Sequence, residues 1–333
     1  MALVGQFYSV EDASANPSHA PSAMIGGVTP VPLPPWRIVF IAQILPAVQG
    51  FHAYATAAGH RPVAVLTTPS AQGRHLSPRN LDFFRQLVEG APPELDVIVV
   101  SEKARLEPLI LALDPDLLMV AGFFWRLPPE VLAIPRVGAV NSHPSLLPRH
   151  RGPVPFAWAV REGDTELGLT FHRMDEHFDT GAILAQGTVP LGEDDGFPDL
   201  APRLGELSQR LLPVVFERLA AGDPGDPQSE QAATYAGHFG EDYRHVDWGE
   251  PAPALHRQVR AWQFAFAEDA GPLATVEGRT LRLIRSHVEP DASGAPGTVL
   301  RRKGDELLVA CGEGALWLLE TEQVEHTEGS IRA

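Results

Sequence analysis

An asparagine and a histidine near the middle of the chain have the side chains that acyl chemistry needs. Asn141 and His143 stand two positions apart at the end of an apolar run, so in an extended strand both point to the same face. The amide can donate to an oxygen that becomes negative when a carbonyl is attacked, and the imidazole can move a proton. For an isolated Asn-x-His pair, the alternative is that both side chains only stabilise the loop through local hydrogen bonds.

A second polar segment supplies an aspartate. Residues 174–181, Met-Asp-Glu-His-Phe-Asp-Thr-Gly, form an acidic turn before an apolar run, and Asp179 can orient His143 and stabilise its charge from there. His172 and His177 bracket this turn, and a metal bound by them with His143 and Asp179 is an alternative. No compact His-x-x-x-His or Cys-rich spacing accompanies them, so no metal site is predicted. His172 alternates with apolar residues and is interpreted as a rim or core histidine.

The two segments together carry a family resemblance. Asn-x-His-x-Ser-Leu-Leu-Pro at residues 141–148, followed by Met-Asp-x-x-x-Asp-Thr-Gly, resembles the signature of the formyltransferases that use 10-formyltetrahydrofolate. The similarity runs over residues 36–223, and a weaker one continues through a C-terminal module similar to that of methionyl-tRNA formyltransferases. The roles that follow are an oxyanion donor for Asn141, a proton relay for His143 and an orienting carboxylate for Asp179.

The resemblance also implies where the pterin of 10-formyltetrahydrofolate binds. Flat aromatic or apolar walls suit a pterin ring, and backbone donors and acceptors read its edge. In the resembled family, an aromatic segment at residues 122–128, the loop at 145–148 and the acidic turn enclose the pterin. The predicted cofactor-binding residues are Phe123, Phe124, Trp125, Arg126, Leu127, Ser145, Leu146, Leu147, Pro148, Asp175, Glu176 and His177. For each aromatic residue, packing beneath a helix is the alternative.

Strand-like runs alternate with helical stretches in the first part of the chain. The runs lie at residues 37–41, 62–67, 95–100 and 117–121. This alternation favours a parallel sheet covered on both faces, with the ligand beyond the carboxyl ends of the strands. The glycine motifs of dinucleotide and nucleoside triphosphate sites do not occur. The predicted class is α/β, a Rossmann-like parallel sheet domain followed by a small β-rich, OB-like barrel domain.

Changes in composition divide the chain into four parts. Residues 1–35 are rich in Pro, Ser, Ala and Gly and are predicted to be an N-terminal extension. The formyltransferase domain is placed at 36–221, and a Gly-Asp-Pro-Gly-Asp-Pro breaker cluster opens a linker at 222–245. Short apolar runs separated by turns predict an antiparallel β-rich domain at 246–333.

Composition restricts the partners of the protein. A net charge of −16 over 333 residues disfavours strong nonspecific attachment to nucleic acid or anionic lipid. The single cysteine, Cys311, lies in an apolar run and is interpreted as a packed thiol. Since the chain has no bilayer-spanning apolar run and no secretion signal, a cytoplasmic location without a membrane partner is expected. No oligomeric state follows from the sequence.

The expected reaction is formyl transfer from 10-formyltetrahydrofolate to an amine of a small molecule. Formylation of methionyl-tRNA is the nearest alternative, but the family members acting on tRNA carry a basic loop and a basic interdomain connection. Here residues 68–79 offer only Arg74, His75 and Arg79, and the linker reads Gly-His-Phe-Gly-Glu-Asp at 237–242. A tRNA partner is therefore disfavoured. Hydrolysis of the formyl donor and a noncatalytic folate-binding role are the remaining alternatives.

Overall fold

The computed structural model describes residues 35–69, 78–265 and 271–324, without the side chains of residues 78–80. Two sheets with their helices make up this part of the chain. The N-terminal extension predicted at residues 1–35 lies outside the described residues, apart from its last position. The same is true of Arg74 and His75 and of the side chain of Arg79.

The first sheet has seven strands in the order β3-β2-β1-β4-β5-β6-β7. Strands β1 to β5 pair in parallel, whereas β6 runs antiparallel to β5 and to β7. The α/β class with a parallel sheet is therefore confirmed, and a hairpin of β6 and β7 extends that sheet at one edge. The strands are β1 (Arg37–Ala42), β2 (Arg61–Thr67), β3 (Asp96–Val99), β4 (Leu117–Ala121), β5 (Gly138–His143), β6 (Glu166–Arg173) and β7 (Ile183–Pro190).

Both faces of this sheet are buried, which explains why its central strands are apolar throughout. Along β1, Ile38 and Phe40 belong to one core cluster, while Val39 and Ile41 belong to another. Side chains alternate along a strand, so two covered faces require a continuous apolar run. The helices are α1 (Leu45–Ala57), α2 (Pro78–Gly90), α3 (Leu106–Leu113), α4 (Pro129–Leu132), α5 (Pro155–Glu162), α6 (Phe197–Ala220) and α7 (Ala252–Phe264). Short 3-10 helices occupy Lys103–Arg105, Glu230–Ala232 and Glu241–Tyr243.

The second sheet is antiparallel and follows the order β10-β11-β12-β9-β8. This confirms the predicted β-rich C-terminal domain. Helix α7 covers the sheet, because Leu255 and Val259 share a core cluster with Leu283 and Leu316. Cys311 is buried in the same cluster, and burial raises the pKa of its thiol to about 11. The strands are β8 (Leu273–Val276), β9 (Arg279–Glu289), β10 (Val299–Lys303), β11 (Glu306–Ala310) and β12 (Ala315–Gln323).

Helix α7 joins the two sheets. Its Trp262 and Phe264 belong to the core of the first sheet, and the ring of Phe264 stacks on Phe156 of α5 at 6.0 Å between centroids. The helix therefore fixes the position of the C-terminal domain against α5. Among the described residues, no helix combines the length and the apolar character that crossing a membrane requires.

Candidate active site

Asn141, His143 and Asp179 meet at the carboxyl end of β5. One carboxylate oxygen, Asp179 Oδ1, lies 3.3 Å from Asn141 Nδ2 and 3.5 Å from His143 Nδ1. The pairing of Ala121 with Ser142 brings the end of β4 to the same edge of the sheet. The structure thus places together the three side chains to which the sequence analysis gave chemical roles.

The turn between β6 and β7 aims Asp179 back at β5. The carboxylate of Asp175 accepts hydrogen bonds from the His177 amide at 3.0 Å and the Thr180 hydroxyl at 2.7 Å, so it shapes the turn locally. Asp179 has the left-handed backbone conformation, with φ of 57°. Gly181 passes so close to β6 that a Cβ atom would lie 1.8 Å from the carbonyl oxygen of Arg173. Only glycine fits this position.

Asp179 is held as a buried anion. Its side chain is 10% exposed, and Oδ2 accepts a hydrogen bond of 2.9 Å from the Gly152 amide. Burial alone would raise the pKa of this carboxyl, but His143, His172 and the Gly152 amide outweigh burial and lower the pKa to about 2. The carboxylate is therefore charged throughout the neutral pH range.

The hydrogen bonds of His143 define its tautomer. Its Nε2 lies 2.8 Å from the carbonyl oxygen of His150, which can only accept, so Nε2 carries a proton. In the neutral ring, Nδ1 then faces Asp179 with a free lone pair. Burial lowers the pKa of His143, and attraction to Asp179 does not restore it. At neutral pH His143 can therefore accept a proton at Nδ1, beside a carboxylate that stabilises the resulting cation.

His172 is a member of the site that the sequence analysis did not assign. Its Nδ1 donates to the Arg173 carbonyl at 2.8 Å, so in the neutral ring Nε2 accepts from Asn141 Nδ2 at 3.2 Å. The same Nε2 lies 3.5 Å from Asp179 Oδ1. The interpretation as a rim or core histidine described its burial but missed these contacts. The missing signal is the antiparallel register that pairs Asn141 with His172, which a single sequence does not fix.

The aromatic segment and the acidic turn are neighbours. The guanidinium of Arg126 donates to the carbonyl of Glu176 at 3.1 Å. Phe123 and Trp125 are partly buried and pack edge to face at 5.5 Å, whereas Phe124 is 38% exposed. These rings, with the polar groups of the turn, fit the needs of a flat heterocycle with a polar edge.

The other predicted cofactor-binding residues differ in exposure. Leu127, Ser145 and Leu147 are buried, and the Ser145 hydroxyl donates to the Arg149 carbonyl at 2.7 Å. These three side chains therefore lie inside the protein and do not face solvent. The exposed or partly exposed members are Leu146, Pro148, Asp175, Glu176 and His177. Cofactor binding by all these residues stays a prediction.

One group of side chains in the described part of the chain has metal-ligand character, and it lies next to the site. His150, Glu162 and Asp164 bring ligand atoms within 4.8 Å of one another. The guanidinium of Arg149 is already paired with both carboxylates, at 2.9 Å from Asp164. Arg149 therefore balances one of the two carboxylate charges of this group.

Two family profiles match this chain. Residues 91–216 match the family described as formyl transferase, and residues 241–330 match the formyl transferase C-terminal domain. The methionyl-tRNA formyltransferase of Pseudomonas paraeruginosa is 39% identical over 269 residues, which cover 78% of this chain and 82% of that protein.

Solved structures share the fold at low sequence identity. HypX from Aquifex aeolicus, in complex with tetrahydrofolic acid, matches 87% of this chain with a TM-score of 0.60 and 19% identity. This chain spans 44% of HypX, which is less than half of its length. An N-formyltransferase from Helicobacter canadensis, in complex with folinic acid and dTDP-3-aminofucose, has a TM-score of 0.59 and 16% identity. That match covers 86% of this chain and 99% of the other.

Proposed function

This chain belongs to the formyl transferase family, and we propose that it transfers a formyl group from 10-formyltetrahydrofolate to the amino group of methionyl-tRNA. It is an enzyme that uses 10-formyltetrahydrofolate as its formyl donor. The similarity to a methionyl-tRNA formyltransferase over most of both chains supports the tRNA acceptor. The relatives thus favour the acceptor that the sequence analysis ranked second over the small molecule that it ranked first.

The observation that carries the chemistry is the contact of one Asp179 oxygen with Asn141, His143 and His172. When bound, 10-formyltetrahydrofolate supplies a formyl carbon attached to a nitrogen that can leave as an amine. Asn141 donates to the formyl oxygen as that oxygen becomes negative. Its bonds to His172 and Asp179 are long, 3.2 and 3.3 Å, so a better acceptor can replace one of them.

His143 carries the proton. The amine forms a bond to the formyl carbon and loses a proton, and His143 accepts that proton at Nδ1. The bond between the formyl carbon and the folate nitrogen then breaks, and His143 returns the proton to that nitrogen. Asp179 stabilises the charged imidazole between the two steps. The products are a formamide and tetrahydrofolate, with no net gain or loss of protons from a neutral amine.

A small-molecule amine is the second candidate, and the surface charges favour it. Arg244 of the linker is paired with Glu241 at 3.1 Å and lies over the Trp262 ring at 4.9 Å. Five cations of the second sheet each have a glutamate partner, which lowers the positive potential available to phosphates. These pairs are Arg282 with Glu322, Arg285 with Glu320, Arg301 with Glu289, Arg302 with Glu277, and Lys303 with Glu306.

One assay separates the acceptors. The purified protein is incubated with 10-formyltetrahydrofolate and methionyl-tRNA, with a panel of amino sugars and amino acids, or with no acceptor, and products are identified by mass spectrometry. Formylmethionyl-tRNA as the main product supports the proposal. A formylated small amine with unmodified methionyl-tRNA overturns the tRNA acceptor and favours the second candidate. Formate released at the same rate without acceptor means hydrolysis, and no turnover of any kind contradicts the catalytic role.

The three side chains are tested in the same assay. We expect Asn141→Ala, His143→Ala and Asp179→Ala each to lower the transfer rate by about two orders of magnitude, as is typical of oxyanion donors and acid-base groups. Normal turnover in all three, with folded protein shown by circular dichroism, overturns the mechanism.

A further inference from the structure

Gln228, a residue of the linker, bonds both to the turn that carries Asp179 and to the loop after β5, whose Gly152 amide binds the Asp179 carboxylate. Gln228 Nε2 donates to the backbone carbonyls of Asp179 and Gly181, each at 2.8 Å. Its Oε1 accepts from Arg151 Nε at 3.0 Å and from Nη2 at 2.9 Å. Both donors and both acceptor positions of this amide are therefore used, which leaves it one orientation.

These bonds close a ring around the site. Arg151 is followed by Gly152, whose amide donates to Asp179 Oδ2 at 2.9 Å. The loop after β5 thus binds the side chain of Asp179 through the Gly152 amide. Gln228 binds the backbone of Asp179 and also the Arg151 side chain of the same loop. Both the side chain and the backbone of Asp179 are therefore bonded, which fixes the turn that carries it relative to the loop after β5.

The linker is itself anchored on both sides of Gln228. Before it, Asp226 and Ile183 exchange two backbone hydrogen bonds of 2.8 Å. After it, Glu230 forms two bonds with the Arg151 guanidinium, of 2.8 and 3.0 Å. Farther on, the Arg151 amide donates to the carbonyl of Thr234 at 2.9 Å. The position of Gln228 is therefore also fixed by bonds of its neighbours in the linker to β7 and to the loop after β5.

The turn needs such a support. Asp179 has φ of 57°, a conformation that a residue with a Cβ atom adopts at a cost unless neighbouring groups hold it. Phe178, directly before it, is 52% exposed and contributes little packing. The Gln228 amide binds the carbonyl of the left-handed residue itself and the carbonyl two positions later.

We propose that Gln228 is a positioning residue for formyl transfer, which holds Asp179 against His143 and Asn141 from outside the sheet domain. The inference rests on the catalytic role of Asp179 in the proposed function. It also means that one residue of the linker, Gln228, takes part in forming the site.

The test compares Gln228→Met with Gln258→Met. Methionine keeps the length of glutamine and removes its hydrogen bonds. Gln258 is a matched control, because its Nε2 also donates to two backbone carbonyls, those of Tyr243 at 2.8 Å and His245 at 3.1 Å, away from the site. We expect Gln228→Met to lower kcat by about 10- to 100-fold, the scale of a misplaced catalytic group, with the donor KM within about twofold. Gln258→Met is expected to keep kcat.

A double-mutant cycle asks whether Gln228 acts through Asp179. If it does, Gln228→Met lowers the residual rate of Asp179→Asn by less than about threefold, because the group it positions is already gone. Gln228→Glu keeps an acceptor for Arg151 and loses both donors to the turn, and we expect it to lower kcat as Gln228→Met does. Rates are normalised to the folded fraction, measured by titration with a tetrahydrofolate analogue.

Three results overturn the inference. One is a loss of kcat in Gln228→Met that is no larger than in Gln258→Met, although Asp179→Asn lowers kcat strongly. A second is full additivity of the effects of Gln228→Met and Asp179→Asn on kcat. Either leaves the proposed function intact. The third, normal turnover in Asp179→Asn, overturns the role of Asp179 itself and the inference with it.

Discussion

The Oδ1 atom of Asp179 lies 3.5 Å from Nδ1 of His143, and the two side chains are 10% and 5% exposed. The tautomer of His143 leaves this Nδ1 without a proton in the neutral ring. A proton that arrives there converts a neutral ring beside an anion into an ion pair. Asp179 therefore stabilises a proton on His143 in the interval between attack by the amine and departure of the folate nitrogen.

The pH dependence of the rate tests this arrangement. Burial lowers the pKa of His143 below its ordinary value of 6.5, so the neutral, proton-accepting form persists through neutral pH. We expect kcat/KM to fall at acid pH, with the midpoint of this acid limb below pH 6.5. In Asp179→Asn the attraction that raises this pKa is lost, so the acid limb of the residual activity should move to still lower pH. A pH–rate profile of both proteins measures the shift, and an acid limb that moves upward in the variant contradicts the pairing.

Acid stability depends on the same carboxylate. The pKa of Asp179 is about 2 in the folded protein, against 3.8 as its ordinary value. A depressed folded pKa stabilises the protein above the unfolded pKa, and this contribution is lost as pH falls through 3.8 toward 2. Its size is about 2 kcal/mol, on the scale of 1.36 kcal/mol per pKa unit. Urea unfolding at pH 5 and pH 3 should show a smaller drop in the free energy of unfolding for Asp179→Asn. An equal drop in both proteins contradicts the assignment.

His172 should contribute to catalysis although it is not expected to move a proton. Phenylalanine at this position removes the acceptor that orients the Asn141 amide, at 3.2 Å, while filling a similar volume. We expect His172→Phe to lower kcat by about tenfold or more, because a misoriented amide stabilises the oxyanion poorly. His52→Phe is the control, since His52 lies on α1 and is partly buried there. A loss of kcat of equal size in both variants would mean that His172 only packs.

Local structure could be predicted from the sequence, but the register in which neighbouring strands pair could not. The alternation of strands and helices predicted β1, β2 and β4 because two covered faces leave an unmistakable apolar run. Asn141, His143 and Asp179 could be singled out because their motifs are local, and the structure brings these side chains together. His172 escaped because its role comes from the pairing of β6 with β5, 31 residues away from its partner along the chain.

The linker shows the same limit. Its breaker cluster, which follows the end of α6 at Ala220, predicted where the linker begins. Nothing local shows that Gln228 reaches back across 49 residues to the carbonyl of Asp179. Helix α2 lies between the predicted runs at 62–67 and 95–100, but its partly polar sequence did not allow its bounds to be predicted.

Two glycine-to-alanine substitutions test whether the close passage of the acidic turn along β6 requires glycine. Gly181 lies in this turn, and Gly205 of α6 is the control. At Gly181 a Cβ atom would lie 1.8 Å from the carbonyl oxygen of Arg173, the last residue of β6, which also accepts from His172 Nδ1. We expect Gly181→Ala to lower the unfolding temperature and kcat together, because the turn that carries Asp179 must shift. Gly205 lies in the exposed part of α6 with nothing within 4 Å of an added Cβ. Gly205→Ala should therefore keep kcat and raise stability by about 0.5–1 kcal/mol, the helix preference for alanine. Thermal unfolding and steady-state kinetics of both variants give the comparison, and a fully active, stable Gly181→Ala protein is incompatible with the close passage of the turn along β6.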